Sequence, residues 1–136
     1  MPLKKETIKD GETVLAILIR NTDWENGLTF VSSRDDYLQV GTWQYDKGKM
    51  LQAHIHKTKP RRVLRTQEVV FVKKGRVKAE IYTEKRALLR SLELENNDAL
   101  VLLGGGHGFE VLEDGTQVLE VKNGPYVGAD RDRERI

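Results

Sequence analysis

No cysteine occurs anywhere in this chain. That excludes disulfide staples and thiolate metal sites, and it is compatible with a reducing cytoplasm, which is the expected compartment. Long apolar runs are missing too. The longest are a few residues, far below the ~18 that a transmembrane helix needs. The opening MPLKKETIKDGE has no apolar stretch behind its lysines, so no secretory signal is expected. Basic residues are not concentrated. Lys and Arg alternate with Asp and Glu, as in the tail RDRERI, and the formal net charge is only +2. A nucleic-acid binder gathers its cations on one face, often beside stacking aromatics, so no nucleic-acid partner is expected. Helix-turn-helix patterning is absent as well, which argues against a fused transcription factor.

What is present suits one soluble domain. At 136 residues, with 38% apolar and 32% charged residues, the chain is long enough to bury a real core and short for two. The apolar pattern is mostly that of strands. TVLAILIR (13–20) is a β-branched run ending at the turn-rich NTDWENG. GLTFVSS and YLQVGTWQYD (37–46) follow, the latter with two alternating residue sets. Turns then recur: DKGK before MLQAHIH, KKGR between QEVVFV and VKAEIY, NNDA before LVLL, and EDGT between FEVL and QVLEV. The Asp-Gly step in the last suits a tight hairpin with positive φ. Only TEKRALLRSLELEN (83–96) offers a helical alternative, and a turn followed by a strand at about 88–95 is favoured. Many short strands with glycine-bearing turns point to an all-β sandwich or small barrel. The first ten residues and the charged last six are expected to be mobile or packed against a partner.

Two of the three histidines sit one residue apart in GKMLQAHIH (48–56). In a strand, His54 and His56 would share a face with backbones about 7 Å apart, close enough for both imidazoles to reach one cation. Imidazole suits zinc, iron, copper or nickel, and carboxylates widen the choice to manganese. Taken alone, a His-x-His is more often an ordinary solvated or hydrogen-bonded strand pair. Arg61, Arg62 and Arg65, in KPRRVLR, can clamp a carboxylate or phosphate or simply form a solvated basic loop. Trp43, Tyr45 and Tyr82 read as core or pocket-wall aromatics. Glu110 and Glu113 are candidate acid/base groups if buried.

The surroundings of the histidine pair resemble the cupin superfamily. Its first motif is Gly, five residues, His-x-His, a short gap, Glu, six residues, Gly. Gly48 with KMLQA and His54-Ile55-His56 matches the first half, and Glu68, VVFVKK and Gly75 match the second. The gap between the halves is eleven residues here, KTKPRRVLRTQ (57–67), longer than the family's. The second motif is looser. Asn97-Asp98, ALVLL and a glycine run lead to His107, with Leu103 near the place of the usual proline and His107 about one residue early. The likeness covers roughly 36–122, as a barrel core on which the N-terminal strands 13–33 pack. It implies an all-β double-stranded β-helix (jelly-roll, cupin) barrel, a homodimer, and a metal site of His54, His56, Glu68 and His107. The metal would be a divalent ion such as Zn, Fe, Mn or Ni, with positions open to water or substrate; a barrel holding no metal is the alternative.

RTQEVVFVKKGRV, IYTE and GGGHGFEVLEDGTQVLEVKNGPY further resemble small cupins of bacterial surface-polysaccharide and nucleotide-sugar pathways. This implies a small polar metabolite, sugar-derived, as the ligand, with Arg62, Arg65, Trp43 and Tyr45 around it. Three functions follow from the likeness. The first is a metal-binding cupin acting on or sensing that metabolite. The second is a metal-independent nucleotide-sugar isomerase or epimerase, in which His54 or His56 moves a proton beside a keto group and Arg62 or Arg65 holds a diphosphate. The third is a non-catalytic ligand-binding barrel. No residue takes the place of the tyrosine and aspartate that an epimerase would use, so the catalytic residues are left unassigned.

Overall fold

The computed structural model describes residues 5–22 and 24–136. Ten strands follow in order: β1 (Lys5–Asp10), β2 (Thr13–Ile19), β3 (Gly27–Phe30), β4 (Gly41–Gln44), β5 (Glu68–Lys74), β6 (Val77–Tyr82), β7 (Leu88–Leu94), β8 (Ala99–Leu102), β9 (Gly106–Val111) and β10 (Gln117–Lys122). One helical turn, α1 (Ala129–Asp132), comes after them. The fold is all-β and antiparallel, as the alternation predicted. No described helix is long and apolar enough to cross a membrane.

The strands form a five-stranded sheet ordered β1-β2-β8-β5-β10, a three-stranded sheet ordered β7-β6-β9, and the separate hairpin β3-β4. Alternation along each strand builds the main core. Leu18 of β2, Val70 and Val72 of β5 and Leu100 and Leu102 of β8 meet Ala79 and Ile81 of β6 and Leu92 and Leu94 of β7. Fully burying a Leu or Ile side chain contributes about 1.5–3 kcal/mol, so this layer dominates stability. A second cluster lies on the opposite face of the larger sheet, where Ile17, Ile19 and Val101 pack with Val31 and Leu103. That explains why the 13–19 run is apolar without alternation: β2 is buried on both faces.

Four expectations change. The sheets do not close into a jelly-roll barrel: β9 and β10 are both sheet edges, and the described strands leave that side open. The expected strand over 37–46 shrinks to Gly41–Gln44, because the backbone amides of Tyr37 and Leu38 donate to the Gln67 side chain (2.7 and 3.0 Å) and not to a neighbouring strand. MLQAHIH is not a strand; residues 49–64 carry no regular structure and are exposed throughout. Of the first ten residues, expected to be mobile or packed against a partner, Lys5–Asp10 form β1 and pair with β2, which sits inside the larger sheet; residues 1–4 lie outside the described residues. Residues 83–96 resolve as predicted. A turn closed by Thr83 N–H to Ala87 O (2.8 Å) leads into β7.

Candidate functional site

Glu68 is the first residue of β5 and, by alternation, faces inward with Val70 and Val72. It is buried to 5% exposure, unusual for a carboxylate and costly unless it is partnered. Two strands supply the partners. Register sets Lys122 of β10 opposite Glu68, and Lys122 Nζ stands 3.9 Å from Glu68 Oε2. From the other sheet, β9 pairs with β6 so that His107 lies opposite Ile81, on the core-facing side. His107 Nε2 then reaches Glu68 Oε1 at 3.3 Å. Burial opposes ionisation of Glu68, yet the neighbouring His107 imidazole and the Lys122 ammonium outweigh it and hold the carboxyl below its ordinary range.

Gln67 fixes the start of β5 from below. Its backbone N–H donates to Asn123 Oδ1 (2.6 Å), and its side-chain amide donates to the Leu103 carbonyl (3.2 Å). With Oε1 accepting from Tyr37 and Leu38, this buried glutamine ties three loops to the strand that presents Glu68. The glycine run 104–106 lets the chain cross from β8 to β9 close to β6. Gly105 has φ +68°, and a Cβ there would overlap the Tyr82 carbonyl. The run is a tight connection between strands.

Glu68, His107 and Lys122 open onto a cavity of about 1060 Å³. Its wall includes Arg65 and Glu84, which pair at 3.5 Å, and the rim is the C-terminal segment 131–136. That segment is tied down by Thr66 with Asp132 and by Arg86 with Glu134. The cavity thus combines a buried carboxylate and an imidazole with basic and acidic side chains in equal number, a composition suited to a small polar ligand.

Of the residues expected at a site, the fold brings together Glu68, His107, Arg65 and Tyr82 in one cavity. His54 and His56 adopt neighbouring positions (ring centroids 5.0 Å apart) on the exposed 49–64 segment, outside that cavity. Among the described residues no three His, Asp or Glu side chains converge to hold a metal, so His54, His56, Glu68 and His107 do not form one ligand set in this arrangement. Arg62 lies on the same exposed segment. Trp43 and Tyr45 stack on each other at 5.7 Å with Lys49 over the Tyr45 ring, away from the cavity wall. Glu110 and Glu113 pair with Lys78 (3.5 Å) and Arg76 (3.8 Å), as exposed carboxylates do. Lys122, Glu84 and the C-terminal rim were not expected; only the β5–β10 register and the tail's return reveal them. A scan against protein-family models, a search of curated proteins and a search of solved structures return no match to this chain.

Proposed function

We propose that the chain binds a small anionic metabolite, sugar-derived in keeping with the cupin resemblance, in the cavity between its sheets, and that His107 transfers a proton on it without a metal. The observation that carries this reading is the buried Glu68 held 3.3 Å from His107 Nε2 inside the cavity. In this reading Nε2, 3.3 Å from Glu68 Oε1, carries the imidazole hydrogen, and His107 Nδ1 is the proton acceptor. Glu68 compensates the imidazolium that forms when Nδ1 takes a proton, as a carboxylate behind an acid/base histidine does. Lys122 supplies positive charge beside the pair, favouring an enolate-like or carboxylate oxygen on the ligand. The role assigned from the sequence to His54 or His56 thereby passes to His107, and that of Arg62 to Arg65 and Lys122.

The reading predicts that nucleoside-diphosphate sugars raise the melting temperature of the purified chain. A carbon-bound hydrogen next to the ligand's carbonyl should exchange with deuterated water, followed by NMR. His107→Asn should abolish exchange while keeping the thermal shift, and Lys122→Met should weaken the shift. Exchange that survives in His107→Asn would sink the proposal.

A second reading keeps the divalent-metal site. Two donor pairs favour it: His54 with His56, and Glu68 with His107. As arranged they do not fit one ion, and Lys122 Nζ beside Glu68 sets a cation where one would have to bind. The jelly-roll barrel belongs to this reading, because both need residues 48–57 as a strand. Elemental analysis of tag-free protein decides it. Stoichiometric metal that is lost on replacing His54 and His56 by alanine would favour the metal site over the metal-free one.

A further inference from the structure

Beyond β10 the chain crosses the open side of the molecule. Asn123 fixes the start of the crossing. Its side chain accepts from Gln67 N–H (2.6 Å) and donates to the Arg65 carbonyl (3.1 Å). Past Asn123 the described backbone hydrogen bonds are local, from Arg131, Asp132 and Arg133 back to Gly128 and Ala129. No residue of α1 is buried, and Arg133, which ends the helical turn, is extended. Among the described residues, then, no backbone hydrogen bond ties 124–136 to either sheet.

Three side-chain contacts hold the segment instead. Asp132 accepts from the hydroxyl of Thr66, just before β5 of the larger sheet. Glu134 pairs with Arg86 in the β6–β7 turn of the smaller sheet. The Ile136 side chain occupies the space that a Cβ would fill on Gly106, the first residue of β9. The segment thus passes from one sheet to the other along the rim of the cavity. These holds are weak. Both members of the Arg86–Glu134 pair are more than half exposed, and so is Ile136 at 60%. An exposed ion pair contributes little and is screened by salt, so such a segment opens at small cost while the sheets stay folded.

Charge distinguishes this segment from the cavity wall. Arg65 and Lys122 share their charge with wall carboxylates, Arg65 with Glu84 (3.5 Å) and Lys122 with Glu120 (3.4 Å) and Glu68. Arg131, Arg133 and Arg135 also line the cavity, and among the described residues no carboxylate pairs with them. The segment's own acids along the cavity, Asp132 and Glu134, are engaged by Thr66 and Arg86. We propose that residues 129–136 are a lid. Released from Thr66, Arg86 and Gly106, it admits the ligand; closed again, it sets Arg131, Arg133 and Arg135 on the ligand's diphosphate, joining Arg65 and Lys122. Guanidinium forks bind phosphoryl oxygens in pairs, which a lysine cannot do. The diphosphate rests on the proposed function, whereas the latching of the lid does not.

The absence of native cysteine makes the lid lockable. Arg86→Cys and Glu134→Cys are introduced together in the full chain and bridged by a bismaleimide with a reducible spacer. Both side chains are exposed and take no part in the proposed proton transfer; circular dichroism checks the fold, and mass spectrometry should show a link within one chain. The probe is a fluorescently labelled nucleoside diphosphate, which carries no sugar to react. The native chain should bind it, and the link should slow association about tenfold or more, with recovery when the spacer is reduced. Replacing Arg131, Arg133 and Arg135 by glutamine should weaken binding about tenfold or more. The same loss of charge at Lys57, Lys59 and Arg61, outside the cavity, should leave binding unchanged. A linked chain that binds as fast as the reduced one overturns the proposal. So does a failure to link, a native chain that does not bind the probe, or an arginine variant of native affinity. Probe binding that obeys the lid, with no hydrogen exchange on a nucleotide sugar, counts against the proposed proton transfer alone. Exchange that persists at an unchanged rate in the linked chain counts against the lid alone.

Discussion

Two buried carboxylates show how differently the same group can be used. Asp98 (3% exposed) accepts hydrogen bonds from Glu95 N–H (2.8 Å), Asn21 N–H (3.0 Å) and Arg20 Nη1 (2.8 Å), joining the turn before β8 to the end of β2. Its lone pairs are spent on structure. Asp98→Ala leaves two backbone amides without this acceptor and should cost about 2–4 kcal/mol, read as a lowered urea midpoint at constant m-value. Glu68 has fewer partners and faces a cavity, which is why it is available for chemistry. Its pKa in the folded chain is lowered, so between that value and the ordinary carboxylate range (~4.3) the unfolded chain binds more protons than the folded one. The stability it contributes is therefore fully present above the ordinary range and lost as pH falls through the lowered value. Urea titrations across acid pH should show Glu68→Gln flattening that part of the stability curve.

At the scale of elements, the turns set where the site residues land. Gly75 joins β5 to β6 with φ +100°, and a Cβ there would stand 2.9 Å from Thr116 Cα in the facing β9–β10 turn. Two hairpin ends thus press together at the end of the sandwich opposite Glu68. Gly75→Ala meets both a strained φ and a backbone overlap, so a loss of about 2 kcal/mol or more is expected in chemical denaturation. At the other end of β5, Gln67 holds the strand by its side chain. Gln67→Ala should lower stability and also loosen residues 36–38, visible as faster amide exchange at Tyr37 and Leu38, whose N–H groups lose their acceptor.

For the whole molecule, two sheets share one core on the closed side and part on the other. Leu100 is fully buried in that core, and Leu100→Ala should cost about 2–5 kcal/mol, depending on how far the cavity collapses.

β1 and the burial of β2 on both faces were not legible in the amino-acid order, but most of the strand segments and their turns were, because period-two alternation and glycine-bearing turns act over a few residues. Glu68 and His107 were likewise singled out by their spacing from Gly75 and the glycine run. Sequence order could not say that MLQAHIH lacks a sheet neighbour, since a strand forms only where an edge accepts it. Nor could it pair Lys122 with Glu68, which depends on the register of strands more than forty residues apart. The order of residues by itself determined which segments can be strands and which groups can carry charge or a proton. Only the tertiary structure decided which of those groups meet, because a contact between a buried carboxylate and an imidazole is made by the packing of two sheets and not by distance along the chain.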